Sequence, residues 1–301
     1  MDLNFFKQTR ILDGGMGQEL LARGMKPNGT LWSANAILDE NYHQLLKDTH
    51  RDFVKAGAEV IVTTTFTTRR KRLKENNIED KFEYLNKKAG EIAQEVKKEF
   101  PNIHIAGGLP PQELTYEADE RNEEEITKTF NEQARLLNPY VDFFYFDVLS
   151  SLREFKIGIE AIKSFNKPYL LGIHISEGTK LPSNDSISDV INKIEHKNLL
   201  GVMLSCVSPE NYQKNLNEIK NLDIPFGFKL NGFKTTIAKN GYMAQYTKSN
   251  GNPNEFLGQR KDLSPENLVK FVKIFKEAGA TILGGCCETR PEHIKEMAKL
   301  K

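Results

Sequence analysis

The sequence predicts a single (β/α)8 barrel covering residues 1–301. Two observations carry that prediction. Eight short apolar runs alternate with longer amphipathic stretches, the signature of repeated βα units on a parallel sheet. The chain also has the length of one barrel of ordinary size, and no shift in composition divides it into halves.

The first strand-like run is Arg10 to Gly14, and the amphipathic stretch Asp39 to Ala56 follows it and stops at Gly57. Glu59 to Thr65 leads into Ile78 to Phe100, and His104 to Gly108 into Glu123 to Leu137. Asp142 to Asp147 precedes Leu152 to Phe165, and Tyr169 to Ile175 precedes Ser186 to His196. Leu200 to Cys206 is followed by Pro209 to Lys220, Phe226 to Leu230 by Pro265 to Ala278, and Thr281 to Gly285 by Pro291 to Leu300. Ser264-Pro265 sets a capping serine before a proline at the first helical position, and Gly279 is a helix stop. Asn231 to Gly258 shows no clear period, and a loop of that length is expected to act as a lid.

Lys plus Arg number 42 against 41 Asp plus Glu, a formal charge of +1 that gives no electrostatic case for nucleic acid or an anionic membrane. No run approaches the ~20 apolar residues needed to span a bilayer, and the first residues lack a basic segment followed by a long apolar one. The expectation is a cytoplasmic protein with small-molecule partners. Its oligomeric state is left open.

Three cysteines carry the strongest chemical signal. Cys206 closes one apolar run, and Cys286 and Cys287 close another two strands further round the barrel. An odd number of thiols, two of them vicinal, suits a reducing compartment and metal binding better than a disulfide. A lone strand-end cysteine usually packs as a small hydrophobe. The adjacent pair is harder to explain that way, because neighbouring strand residues face opposite sides unless a bulge intervenes, and Gly284-Gly285 would permit one. Three thiolates and an open fourth position suit Zn2+. His174, at the fifth strand's end, is either a further ligand or a hydrogen-bonded barrel histidine. Asp13, Thr63 to Thr65, Asp147 and Asn231 also fall at the C-terminal strand ends, the face on which barrels of this kind build their sites.

Asp13-Gly14-Gly15-Met16-Gly17-Gln18-Glu19-Leu20, Leu31-Trp32-Ser33-Ala34, Phe53-Val54-Lys55-Ala56-Gly57-Ala58, Cys206 and Gly284-Gly285-Cys286-Cys287 together resemble the cobalamin-independent homocysteine S-methyltransferases. The resemblance implies a (β/α)8 barrel holding one Zn2+ on Cys206, Cys286 and Cys287, with the homocysteine sulfur at the open position. The implied donor is a sulfonium such as S-methylmethionine or a quaternary ammonium such as glycine betaine, and the product is methionine. Asp13 and Gly14 would contact the bound amino acid, Asp147 its amino group and Trp32 the donor, and Asn231 completes the expected substrate-binding set. Asp147 stands where many members carry glutamate, one methylene longer. Thr67-Thr68-Arg69-Arg70 replaces a second donor-contacting aromatic of the betaine branch, and Tyr116, after a third-strand turn unlike that of either well-known branch, either lines the donor pocket or takes the commoner role of loop packing. Two other readings are a catalytically silent barrel that binds or regulates, and a methyltransferase acting on a different thiol or selenol.

Overall fold

The computed structural model describes residues 1–237 and 252–301. Eight parallel strands form the barrel: β1 Arg10–Ile11, β2 Val60–Val62, β3 His104–Leu109, β4 Phe143–Leu149, β5 Tyr169–Ile173, β6 Leu199–Val207, β7 Phe226–Leu230 and β8 Ile282–Gly285. Pairing runs in the order β1-β8-β7-β6-β5-β4-β3-β2. The parallel bridge between Leu12 and Val60 closes the ring from β2 back to β1. The strands are near-continuous apolar runs because both of their faces are buried. Inward side chains such as Phe143, Tyr145, Leu170, Met203 and Ile282 fill the barrel, and Phe6 on the short turn Phe5–Lys7 joins them. Outward residues of the same strands pack against the helix ring.

The predicted helix punctuation is present. Ser264 accepts from the Asn267 amide ahead of Pro265–Glu277, and Ser208 does the same for Pro209–Ile219. Gly57 and Gly279 take φ values of +112° and +106° at the predicted stops, a region open to glycine at little cost. The stretch expected as helix from Asp39 instead starts with a 3-10 turn, Glu40–Tyr42, because the Asp39 side chain accepts from the Asn41 amide; the α-helix is His43–Lys55. β1 and β2 are shorter than expected, since Asp13 and Thr63 to Thr65 already belong to the turns above the barrel. Residues 238–251 of the expected lid lie outside the described residues, and the stretch after them carries a short helix, Asn254–Leu257. Among the described residues no helix is long and apolar enough to cross a membrane.

One buried acid makes the fold pH-sensitive. Glu154, on the helix Leu152–Ile162, is fully buried and accepts from the Ser151 hydroxyl at 2.8 Å. Burial pushes its carboxyl up from 4.5 to about 7; the Asp119 charge adds to this, while the Ser151 hydroxyl pulls it back. The folded state therefore favours the protonated acid, a contribution fully present below pH 4.5 and lost as pH rises through about 7. Glu154→Gln should gain about 3 kcal/mol on the wild type between pH 4.5 and 8, read as a Tm difference that widens over this interval and is flat beyond it. A pH-independent difference would contradict this.

Candidate active site

The C-terminal mouth of the barrel opens into a cavity of about 110 Å3. Cys206, Cys286 and Cys287 line it, together with Asp13, Gly14, Trp32 and Asp147. The three sulfurs lie within 4.8 Å of one another, with those of Cys286 and Cys287 3.9 Å apart. Sulfurs held tetrahedrally at the ~2.3 Å zinc–thiolate distance would be about 3.8 Å apart, so the cluster has the spacing to hold such an ion. Among the described residues no His, Asp or Glu joins it as a fourth ligand. His174 is instead stacked on Tyr116, ring centroids 4.4 Å apart, with its Nε2 3.1 Å from the Ser176 hydroxyl. Burial lowers its pKa to about 3, which keeps the ring neutral.

The backbone bends to bring the sulfurs together. β8 ends at Gly285, so both vicinal cysteines sit in the turn beyond it, where the Cys286 amide donates to Leu230 and the Thr289 hydroxyl to the Cys286 carbonyl. The bulge expected at the pair lies instead at Cys206. There β6 slips register against β7 between Ser205 and Val207, and Cys206 takes a φ of +54°. A non-glycine residue in that region is strained, and here the strain turns a sulfur toward its partners. β4 slips in the same way between Phe146 and Leu149, with Val148 at +67° beside Asp147.

Two groups support the Cys206 sulfur. The Tyr116 hydroxyl lies 2.9 Å from it, and the Asn231 side-chain amide donates to it from 3.6 Å. Asn231 therefore stands behind the cluster, and it does not line the cavity. Tyr116, read from the sequence as either a donor-pocket residue or loop packing, lines the cavity with a φ of +69°. Without metal, hydrogen bonds from the Cys206 and Cys287 thiols push Cys286 well below the ordinary cysteine range, while the other two are pushed up.

The same cavity carries a charged wall. Asp13 is buried, with Oδ1 accepting from Lys229 Nζ at 2.9 Å and Oδ2 from the Val62 amide at 2.8 Å. Burial works against the Lys229 charge, but Asp13 and Asp147 outweigh it and hold that amine above the ordinary lysine range. Burial pushes the Asp147 carboxyl up to about 7, against the pull of Lys229. Sequence reasoning missed Lys229. The available signal was a lone lysine inside the otherwise apolar run Phe226-Gly227-Phe228-Lys229-Leu230.

The remaining wall is aromatic. Trp32 meets Phe66 edge-to-face with centroids 6.2 Å apart, and Phe233 and Tyr116 complete the surface. Thr67 to Arg70 hold no aromatic, and those beside Trp32 come from neighbouring positions. Thr67 and Arg69 have other work: Thr67 donates to the Leu31 carbonyl, and Arg69 binds the Pro111 carbonyl and Thr115 hydroxyl. Gly17 lets the indole in, for a Cβ there would lie 2.2 to 2.6 Å from three indole atoms. Gly17→Ala should displace Trp32, visible in the emission of the chain's only tryptophan, and cost about 1–3 kcal/mol in stability. An unchanged emission spectrum would place the indole elsewhere.

Comparison with known proteins is consistent in direction. The family profile described as homocysteine S-methyltransferase matches residues 10–300. Homocysteine S-methyltransferase YbgG of Bacillus subtilis is 25% identical over 96% of this chain and 93% of its own length. Homocysteine S-methyltransferase 1 of Saccharomyces cerevisiae is 26% identical over 96% of this chain and 92% of its own. The metallated form of the homocysteine methyltransferase MmuM from Escherichia coli superposes with a TM-score of 0.79 at 18% identity, covering 98% of this chain and 96% of that one.

Proposed function

This chain belongs to the homocysteine S-methyltransferase family, and on that premise we propose that it uses one Zn2+, held by Cys206, Cys286 and Cys287, to methylate homocysteine from a cationic sulfonium or ammonium donor. The observation that carries the reading is the three-sulfur cluster opening, with no fourth protein ligand among the described residues, onto a cavity with one charged and one aromatic wall. Zinc bound there would supply deprotonation of the substrate thiol, which near pKa 8.5 is otherwise mostly protonated at neutral pH.

The residues around it do the rest. Asp147 faces the cavity and takes the substrate ammonium, its shorter reach offset by the bulge beside it. Tyr116 and Asn231 hold Cys206 in its strained conformation. Trp32 and Phe66 hold the donor cation over aromatic faces, a contact worth ~0.5–2 kcal/mol. The thiolate sulfur then attacks the methyl carbon in line: a carbon–sulfur bond forms, the bond from methyl to the donor's sulfonium or ammonium centre breaks, and its electrons leave on a neutral thioether or tertiary amine. The thiol proton has already gone to solvent. The cationic leaving group needs no acid, which agrees with the neutral state of His174. Three free thiols call for a reducing environment, so the cytoplasm is the proposed location.

The test is metal analysis of the purified chain followed by a donor screen with homocysteine, using S-methylmethionine, S-adenosylmethionine, glycine betaine and a dimethylsulfonium acid. About one zinc per chain and methionine formation with at least one donor are expected. Full zinc occupancy with no turnover on any donor would refute the proposal.

A further inference from the structure

Lys229 has no part in holding the metal, yet it is the only lysine lining the cavity among the described residues. Its ammonium carries three protons, and the hydrogen bond to Asp13 uses one of them. The Tyr145 ring, 5.8 Å from Nζ, offers a face and no lone pair. Asp13 meanwhile has both oxygens engaged, one by Lys229 and one by the Val62 amide. Asp13 and Lys229 pair with each other, which leaves Asp147 as the carboxyl on that wall without an ion-pair partner among the described residues.

An amino-acid thiol brings one positive and one negative group to this surface. Its ammonium matches Asp147. Its carboxylate would be repelled by Asp147; of the two cations that line the cavity among the described residues, Arg72 is paired with Glu75 at 3.0 Å, and Lys229 is the one on this wall. Register sets Lys229 close in strand position to the three cysteines. Lys229 pairs with Ser205 on β6 and Gly284 on β8, one residue before Cys206 and two before Cys286. Gly284 keeps room for the lysine stem, since a Cβ there would lie 3.3 Å from Lys229 Cγ and 2.9 Å from Leu12 Cβ.

Resting on the methyl-transfer reading above, we infer that Lys229 is a specificity-determining residue that binds the α-carboxylate of the thiol substrate, so that the site selects α-amino-acid thiols over aminothiols lacking that group. The probes are L-homocysteine and 3-aminopropane-1-thiol, which differ by that carboxylate alone, titrated calorimetrically into the zinc-loaded full chain without donor. The wild type should bind homocysteine ~10- to 100-fold more tightly, the worth of a charge-assisted hydrogen bond in a buried site. Lys229→Met should weaken homocysteine by that factor and leave 3-aminopropane-1-thiol within a few-fold. Equal weakening of both thiols would mean that Lys229 acts only by orienting Asp13, and it would overturn the assignment. Should the variant fail to fold, the wild-type ratio still decides, because equal affinity for the two thiols also overturns it. Binding of both thiols without discrimination defeats this inference alone, whereas binding of neither defeats the functional reading as well.

Discussion

Cys286→Ala is expected to lose the metal and nearly all activity together. Two thiolates that remain in a cavity without a fourth ligand cannot replace the third, so zinc content should fall from about one per chain toward zero. Without it the substrate sulfur reverts to an ordinary thiol. At pH 7 only ~3% of a thiol of pKa 8.5 is ionised, a ~30-fold loss. Losing the fixed position of the sulfur costs ~10^2-fold more, the penalty associated with a 1 Å misplacement of reacting groups. The combined fall in kcat/KM is on the order of 10^3. The two parts separate by pH: the residual rate of the variant should climb ~20-fold from pH 7 to pH 9 as the free thiol ionises, while the zinc-loaded wild type changes little. A variant that keeps activity, or one whose residual rate is flat with pH, would refute the role assigned to Cys286.

Much of this site was legible because its residue types are rare in their positions. Adjacent cysteines after two glycines have few packing explanations, and the alternation of apolar runs set Cys206 two strands away. The structure brings these together with Asp13, Gly14, Trp32 and Asp147 around one cavity. What the sequence hid falls into two kinds. The strained φ values of Cys206 and Val148 are tertiary effects, set at register slips between strands, and no local propensity announces them. Tyr116 was singled out only as a donor-pocket or packing residue, since a tyrosine in a loop after β3 reads the same whether it packs or reaches a sulfur. Lys229 did give one. An ionisable residue in a strand whose neighbours are buried on both sides must be paired, and its partner turned out to be the aspartate already picked out near the N-terminus, 216 positions away.

That pair is also where the largest change in stability is expected. Lys229 and Asp13 are buried at 7% and 3% side-chain exposure, their charged atoms 2.9 Å apart. Removing one member strands the other in a water-poor cavity, so Lys229→Met should cost about 3–5 kcal/mol in unfolding free energy. The double variant Asp13→Asn with Lys229→Met removes both charges of the pair, and it should recover most of that loss, since well-packed neutral replacements of a buried ion pair are often neutral or better. A double-mutant cycle in denaturant measures the coupling directly. Additive single effects would show that the two charges do not depend on each other. A stable, neutral double variant that no longer distinguishes homocysteine from its decarboxylated analogue would carry the point further, because an ion pair that stability does not require, at the foot of a substrate cavity, is then retained for what its ammonium can bind.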